Sequence, residues 1–78
     1  MPPARETTAL NSIRIVVNGN DQTVDEGLTI SELIRRLDLR PEHVAVERNR
    51  ALVTRRLHAE TKLNEGDHIE IVTLVGGG

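Results

Sequence analysis

The 78 residues suffice for one small domain, which buries only roughly 60–65 % of the surface its unfolded chain exposes and has no room for both a core and a deep pocket. Ten basic and twelve acidic residues leave a formal charge of −2, without the basic excess that draws a phosphate backbone, and the absence of Phe, Tyr and Trp removes the stacking platform of a single-strand binder. With no Cys there is no disulfide, thiolate nucleophile, Cys-ligated zinc or persulfide on this chain, which suits a reducing cytoplasm; no apolar run approaches the ~20 residues of a membrane span, and no signal peptide is evident.

Residues 1–11 form a polar lead with two prolines and no period, expected to be disordered. From Ser12 to Val17 the alternation of Ile13, Ile15 and Val17 with Arg14 and Val16 predicts a half-buried strand. Asn18-Gly19-Asn20-Asp21 tolerates positive φ, and Gln22-Thr23-Val24 resumes an extended pattern, so the pair reads as a hairpin. Thr29-Ile30-Ser31-Glu32 has the spacing of a capping box, and Ile30, Leu33, Ile34 and Leu37 follow at helical spacing. The spacing predicts one amphipathic helix over Ile30–Leu39, stopped by Pro41, which steers its predecessor out of the α region.

Val44–Asn49 reads as a strand, and Ala51-Leu52-Val53 as a short one after a turn at Asn49-Arg50. Thr54–Leu63 has no period and is expected to be a loop with one helical turn, anchored in the core by Leu57 and Leu63. Asn64-Glu65-Gly66-Asp67 is a turn signal, and His68–Thr73 alternates as the last strand. One helix must cover one face of these four or five strands, since neither can bury its apolar side alone, with the last strand lying parallel beside the first in the middle of the sheet. The expected class is α+β: a mixed four- to five-stranded sheet packed on one helix, in the β-grasp, or ubiquitin-like, layout, with the domain over 12–75.

Ile69 and Ile71 then point inward, under Leu33, Ile34 and Leu37, and Val72 and Leu74 point out on the opposite face beside Val16, a small apolar patch next to the terminus. Gly76, Gly77 and Gly78 close the chain as a flexible thread, since glycine visits nearly all of φ/ψ space. Other candidates carry less chemistry. His43, His58 and His68 lack ligand spacing and read as surface histidines, so no metal is expected. Arg55 and Arg56 suit either the steering of an acidic or phosphate-bearing partner or simple solvation. Glu32 and Asp38 flank the helix as capping and solubility residues, and no catalytic grouping or phosphate loop stands out.

Val44–Asn49, the Val53-Thr54-Arg55 corner, Leu63–Asp67 and above all Ile69–Gly78 resemble the sulfur-carrier proteins of thiamine biosynthesis, the ThiS family. The likeness runs from Ile13 to Gly78 and departs from the family at the corner, where Thr54-Arg55 replaces a common Pro-Arg, and at His58, where an aromatic residue is common. It implies chemistry at the Gly78 carboxylate: adenylation by an E1-like adenylyltransferase that uses ATP, conversion to a thiocarboxylate through a sulfur donor protein, and delivery of that sulfur to thiazole synthase. Gly76 and Gly77 would thread into the partner, with Val16, Val72, Leu74 and Arg55 as the surface it grips. The chain itself would be a protein co-substrate rather than an enzyme, with no bound cofactor, no nucleic acid and no membrane. Two other roles stay open on the residues alone: a related carrier of the molybdopterin-synthase small-subunit type or for another sulfur metabolite, and a ubiquitin-like interaction module with an inert tail.

Overall fold

The computed structural model describes residues 11–74. Strands β1 (Ser12–Val17) and β2 (Asn20–Asp25) are followed by helix α1 (Ile30–Arg36), a 3-10 turn over Pro41–His43, strands β3 (Val44–Arg48) and β4 (Ala51–Val53), a second 3-10 turn over Arg55–Leu57, and strand β5 (His68–Thr73). The five strands form one sheet in the order β2-β1-β5-β3-β4, with β1 and β5 parallel and the other pairs antiparallel. Among the described residues this is the mixed sheet and single helix of the β-grasp, with the last described strand, β5, at its centre.

Asn18 (φ 50°) and Gly19 (φ 85°) close the β1–β2 hairpin as a two-residue turn with positive φ at both positions, which matches the right-handed twist of the strands it joins. Asn49 (φ 52°) and Arg50 (φ 74°) do the same between β3 and β4. An arginine has no intrinsic liking for that region, and its neighbour holds the turn in place: Asn49 Oδ1 accepts from the His68 N–H at 2.9 Å and Asn49 Nδ2 donates to Asp67 Oδ1 at 3.1 Å.

The capping box forms as its spacing requires. Thr29 Oγ1 accepts from the Glu32 N–H, and Glu32 Oε1 accepts from the Thr29 N–H, which holds the Glu32 carboxyl below its usual range. The far end of α1 differs from the expected Ile30–Leu39. The helix stops at Arg36 in a Schellman motif: Asp38 adopts φ 63°, the Asp38 N–H donates to Arg35 O, and the Leu39 N–H donates to Ile34 O. Asp38 is thus the left-handed residue that ends the helix, and Pro41 starts the 3-10 turn instead. Leu37 and Leu39 still pack on the core from the turn.

Ile13, Ile15 and Val17 of β1, Ile69 and Ile71 of β5, Val44 and Val46 of β3 and Val24 of β2 are buried beneath Ile30, Leu33 and Ile34. Leu63 anchors the long loop as expected, but Leu57 does not; it is 39 % exposed, and its place is taken by His58, which is 4 % exposed rather than a surface histidine. Burying an imidazole requires a partner for its N–H, and Val53 O lies 3.0 Å from His58 Nε2, so that nitrogen donates. The same loop completes the helix start, since His58 O and Thr61 O accept from the Ser31 and Ile30 N–H groups. Asn11, read as part of the disordered lead, is a turn residue whose carbonyl accepts from the Glu26 N–H.

Candidate functional site at the exit of the central strand

Since side chains on a strand alternate, the inward Ile69 and Ile71 send His68, Glu70 and Val72 to the face that α1 leaves bare. The hydrogen-bonding register sets what lies beside each of them. Across the β3–β5 pair, Glu70 is opposite Glu47 and Val72 is opposite Ala45; across β3–β4, Glu47 is opposite Leu52. The bare face therefore carries a row of Leu52, Glu47 and Glu70, then a row of Ala45 and Val72. Leu74 follows: its N–H donates to His43 O at 2.7 Å, one step beyond the Val44–Thr73 pair, which keeps the alternation and puts it on the side of Val72. Leu52, Val72 and Leu74 are 66, 56 and 55 % exposed.

Two fastenings hold β5 at this end. The Asn18 side chain reaches across from the hairpin turn, with Nδ2 donating to Ile71 O at 3.2 Å and Oδ1 accepting from the Ile71 N–H at 2.8 Å. A side-chain amide so continues the β1–β5 ladder where β1 has already turned away. The Leu74 N–H to His43 O bond then fixes the last described residue from the other side. Val72 and Leu74 are consequently presented by a strand hydrogen-bonded on both edges.

Val16 does face the bare side, half-buried, but it pairs with His68. Four residues of strand, about 13 Å, separate that level from Val72, so Val16 and Val72 are not neighbours. The expected three-residue patch is replaced by Ala45, Val72 and Leu74, with Leu52 across the Glu47–Glu70 pair. Arg55 is exposed in the 3-10 turn after β4. Val53 is level with Ile71 through Val46, so Arg55 lies at the end of the sheet where β5 gives out. Gly76, Gly77 and Gly78 lie outside the described residues.

Alternation in β3 and β4 already carried the signal for Ala45, Glu47 and Leu52, had those strands been placed beside β5. The Asn18 bracket has no local signal, because an Asn-Gly turn needs its asparagine for backbone reasons alone. Elsewhere, a depression of about 340 Å³ lined by Leu28, Glu32, Arg35 and Arg36 lies on the helix side; there Glu32 is engaged in the capping box and Arg36 pairs with Asp25 at 3.2 Å. Among the described residues no group of three or more His, Asp or Glu is placed to hold a metal ion, and no helix is long and apolar enough to cross a membrane.

Comparison with known proteins places these features in context. The ThiS family model matches residues 10–78. A thiazole synthase of Magnetococcus marinus is 41 % identical over 66 residues, which are 85 % of this chain and 20 % of that protein. The chain thus spans about a fifth of the length of the thiazole synthase it matches. The protein ycf40 of Porphyra purpurea is 39 % identical over 67 residues, 86 % of this chain and 94 % of its own length. Among solved structures, the crystal structure of the thiamine biosynthesis protein ThiS from Geobacter metallireducens superposes with a TM-score of 0.73 at 35 % identity, covering 85 % of this chain and all of that one.

Proposed function

Because the chain belongs to the ThiS family of thiamine-biosynthesis sulfur carriers, we propose that it works through the carboxylate of Gly78, as a protein substrate of the enzymes that load and unload it. A terminal carboxylate, with an ordinary pKa of about 3.3–3.7, is ionised at neutral pH. One of its oxygens attacks the α-phosphorus of ATP on an E1-like adenylating enzyme; the new C–O–P linkage makes an acyl adenylate and pyrophosphate leaves. A sulfur donor protein supplies sulfur at the sulfide level to the acyl carbon. AMP departs with the attacking oxygen and a thiocarboxylate remains, from which thiazole synthase draws the sulfur of the thiazole ring.

One observation supports this role more than any other: the strand that precedes Gly76-Gly77-Gly78 in the sequence presents exposed Val72 and Leu74 on a sheet face that no helix among the described residues covers. Side-chain-free glycines pass a narrow entrance to a water-excluding site, but ordering them costs on the order of 1–2 kcal/mol per residue, so the folded body has to supply the affinity. Val72 and Leu74 are the surface for that, with Arg55 at the same end of the sheet.

Intact mass after incubation with the adenylating enzyme, ATP and a sulfur source tests the proposal. The expected spectrum shows one oxygen exchanged for sulfur, and deletion of Gly78 removes the shift. An unchanged mass beside a demonstrably active enzyme would sink it.

A further inference from the structure

Successive residues of β5 bond to opposite edges of the strand. His68 O accepts from the Asn49 N–H and the Leu74 N–H donates to His43 O, so even-numbered residues bond on the β3 side. Ile69 O accepts from the Asn18 N–H, and the Asn18 side chain holds Ile71, so odd-numbered residues bond on the β1 side. Thr73 is the next odd residue. Its N–H and C=O face the side that β1 has already left, since β1 ends at Val17, level with Ile69. Thr73 is exposed, and among the described residues neither group has a hydrogen-bond partner. The end of the central strand is therefore an open edge, the feature on which another chain can lay a strand of its own. Asn18 shows which chemistry this edge takes. Its side-chain amide accepts from the Ile71 N–H at 2.8 Å and donates to Ile71 O at 3.2 Å, the two contacts that a neighbouring strand would make with that residue. One position on, Thr73 offers the same two groups to amides from outside. The sequence beyond it points the same way: Gly76, Gly77 and Gly78 have no side chains, so along them a partner can hold only backbone N–H and C=O groups.

We propose that thiazole synthase adds a strand at this edge: an extended segment of the enzyme pairs through its backbone with Thr73, then with Val75 and Gly77, on the β1 side of β5. The inference rests on the carrier role assigned above and says how the tail is held. In the complex β5 continues in extended form into the glycines, which brings the N–H and C=O groups of Val75 and Gly77 to the same side as those of Thr73. Asn18 occupies the position before Thr73 and so sets where the added strand begins. Such a strand lies in the plane of the sheet. Alternate side chains of it fall on the outer face beside exposed Val72 and Leu74, so backbone pairing and apolar contact belong to one interface. The pairing asks no particular side chain of the enzyme, only an extended backbone. Thiazole synthase is the occupant to which the comparisons point, since in the Magnetococcus marinus protein of that name a segment like this one shares a single polypeptide with the remaining four-fifths of the chain.

Amide hydrogen exchange, read residue by residue in the full chain free and bound to its cognate thiazole synthase, tests the pairing. The Thr73 amide should exchange fast in the free chain and at least about tenfold more slowly in the complex, where the Val75 and Gly77 amides are protected with it. A Thr73 amide that exchanges equally fast in both states overturns the proposal, and this readout needs no variant. Calorimetry supplies a second one. Thr73→Pro removes an N–H that β3 does not use and should bind about tenfold more weakly, whereas Thr73→Val keeps the N–H and should bind as the parent does. Parental binding by Thr73→Pro overturns the added strand; so does equal weakening by Thr73→Val, which assigns the effect to the side chain. Val72→Ser/Leu74→Ser separates this claim from the reading beneath it: if that variant weakens the complex while the Thr73 amide stays unprotected, only the added strand falls. A parent chain that neither binds thiazole synthase nor changes mass in the loading assay removes the carrier role, and the added strand with it.

Discussion

The two faces of the sheet are made by the same strands and obey opposite rules. On the inner face, apart from Thr73 at the exposed end of β5, every position that the alternation assigns in β1 and β5 is a branched aliphatic, from Ile13, Ile15 and Val17 to Ile69 and Ile71, and all five of these are buried. On the outer face the same strands carry Arg14, Val16, His68, Glu70 and Val72, with no common chemistry. Packing accounts for the first set completely, because removing volume there leaves a cavity. It accounts for nothing in the second set. The outer residues are therefore where a requirement other than folding can be read, and Val72 and Leu74 stand out against a neutral expectation.

The sharpest way to test that division is to break each side separately. Ile69→Ala, at a 1 % exposed position on the central strand, should cost about 3–4 kcal/mol by urea denaturation. If the proposed docking holds, affinity for thiazole synthase should match the parent's wherever the variant is fully folded, because Ile69 is buried on the inner face. Loss of binding by the folded variant would mean that the faces are coupled through the strand.

Asp67 draws a boundary of another kind, since it is a buried carboxylate at the edge of the core. It accepts from Arg48 Nε at 2.9 Å, Asn49 Nδ2 at 3.1 Å and the Asn64 N–H at 2.8 Å, tying β3, its turn and the approach to β5 together. Asp67→Ala should cost about 2–3 kcal/mol, less than the core truncation because Arg48 keeps partial access to water after losing its partner. A cost below about 0.5 kcal/mol would show that solvent already supplies these contacts.

Much of this arrangement was legible in the chain. Alternation in β1 and β5 marked the buried face, Thr29 and Glu32 marked the helix start, and Asn18-Gly19 marked the hairpin, because each depends on residues a few positions apart. The failures depend on longer range or on rarer choices. Asp38 ends the helix in a conformation usually left to glycine, so Pro41 looked like the stop. His58 replaces Leu57 in the core because Val53 O happens to lie within reach of its ring nitrogen, a contact without a sequence pattern. Val16 was grouped with Val72 because parity alone puts both on one face; the parallel β1–β5 register, which no turn sets, separates them along the strand.

The smallest expected change bears hardest on the contrast. Val72→Thr keeps the β-branched shape that suits a strand and removes apolar surface where the side chain is already 56 % exposed. Were Val72 there for the fold, the substitution would lower stability by more than a few tenths of a kcal/mol. Ala45 is its cross-strand neighbour, too small to enclose it, so little packing can be lost. The unfolding free energy from urea denaturation should stay within about 0.5 kcal/mol of the parent, with an unchanged slope. The same variant should dock more weakly on thiazole synthase, because a hydroxyl at the centre of an apolar contact must be desolvated without a partner of its own. A stability loss above 1 kcal/mol with unaltered docking would reverse the assignment of the two faces.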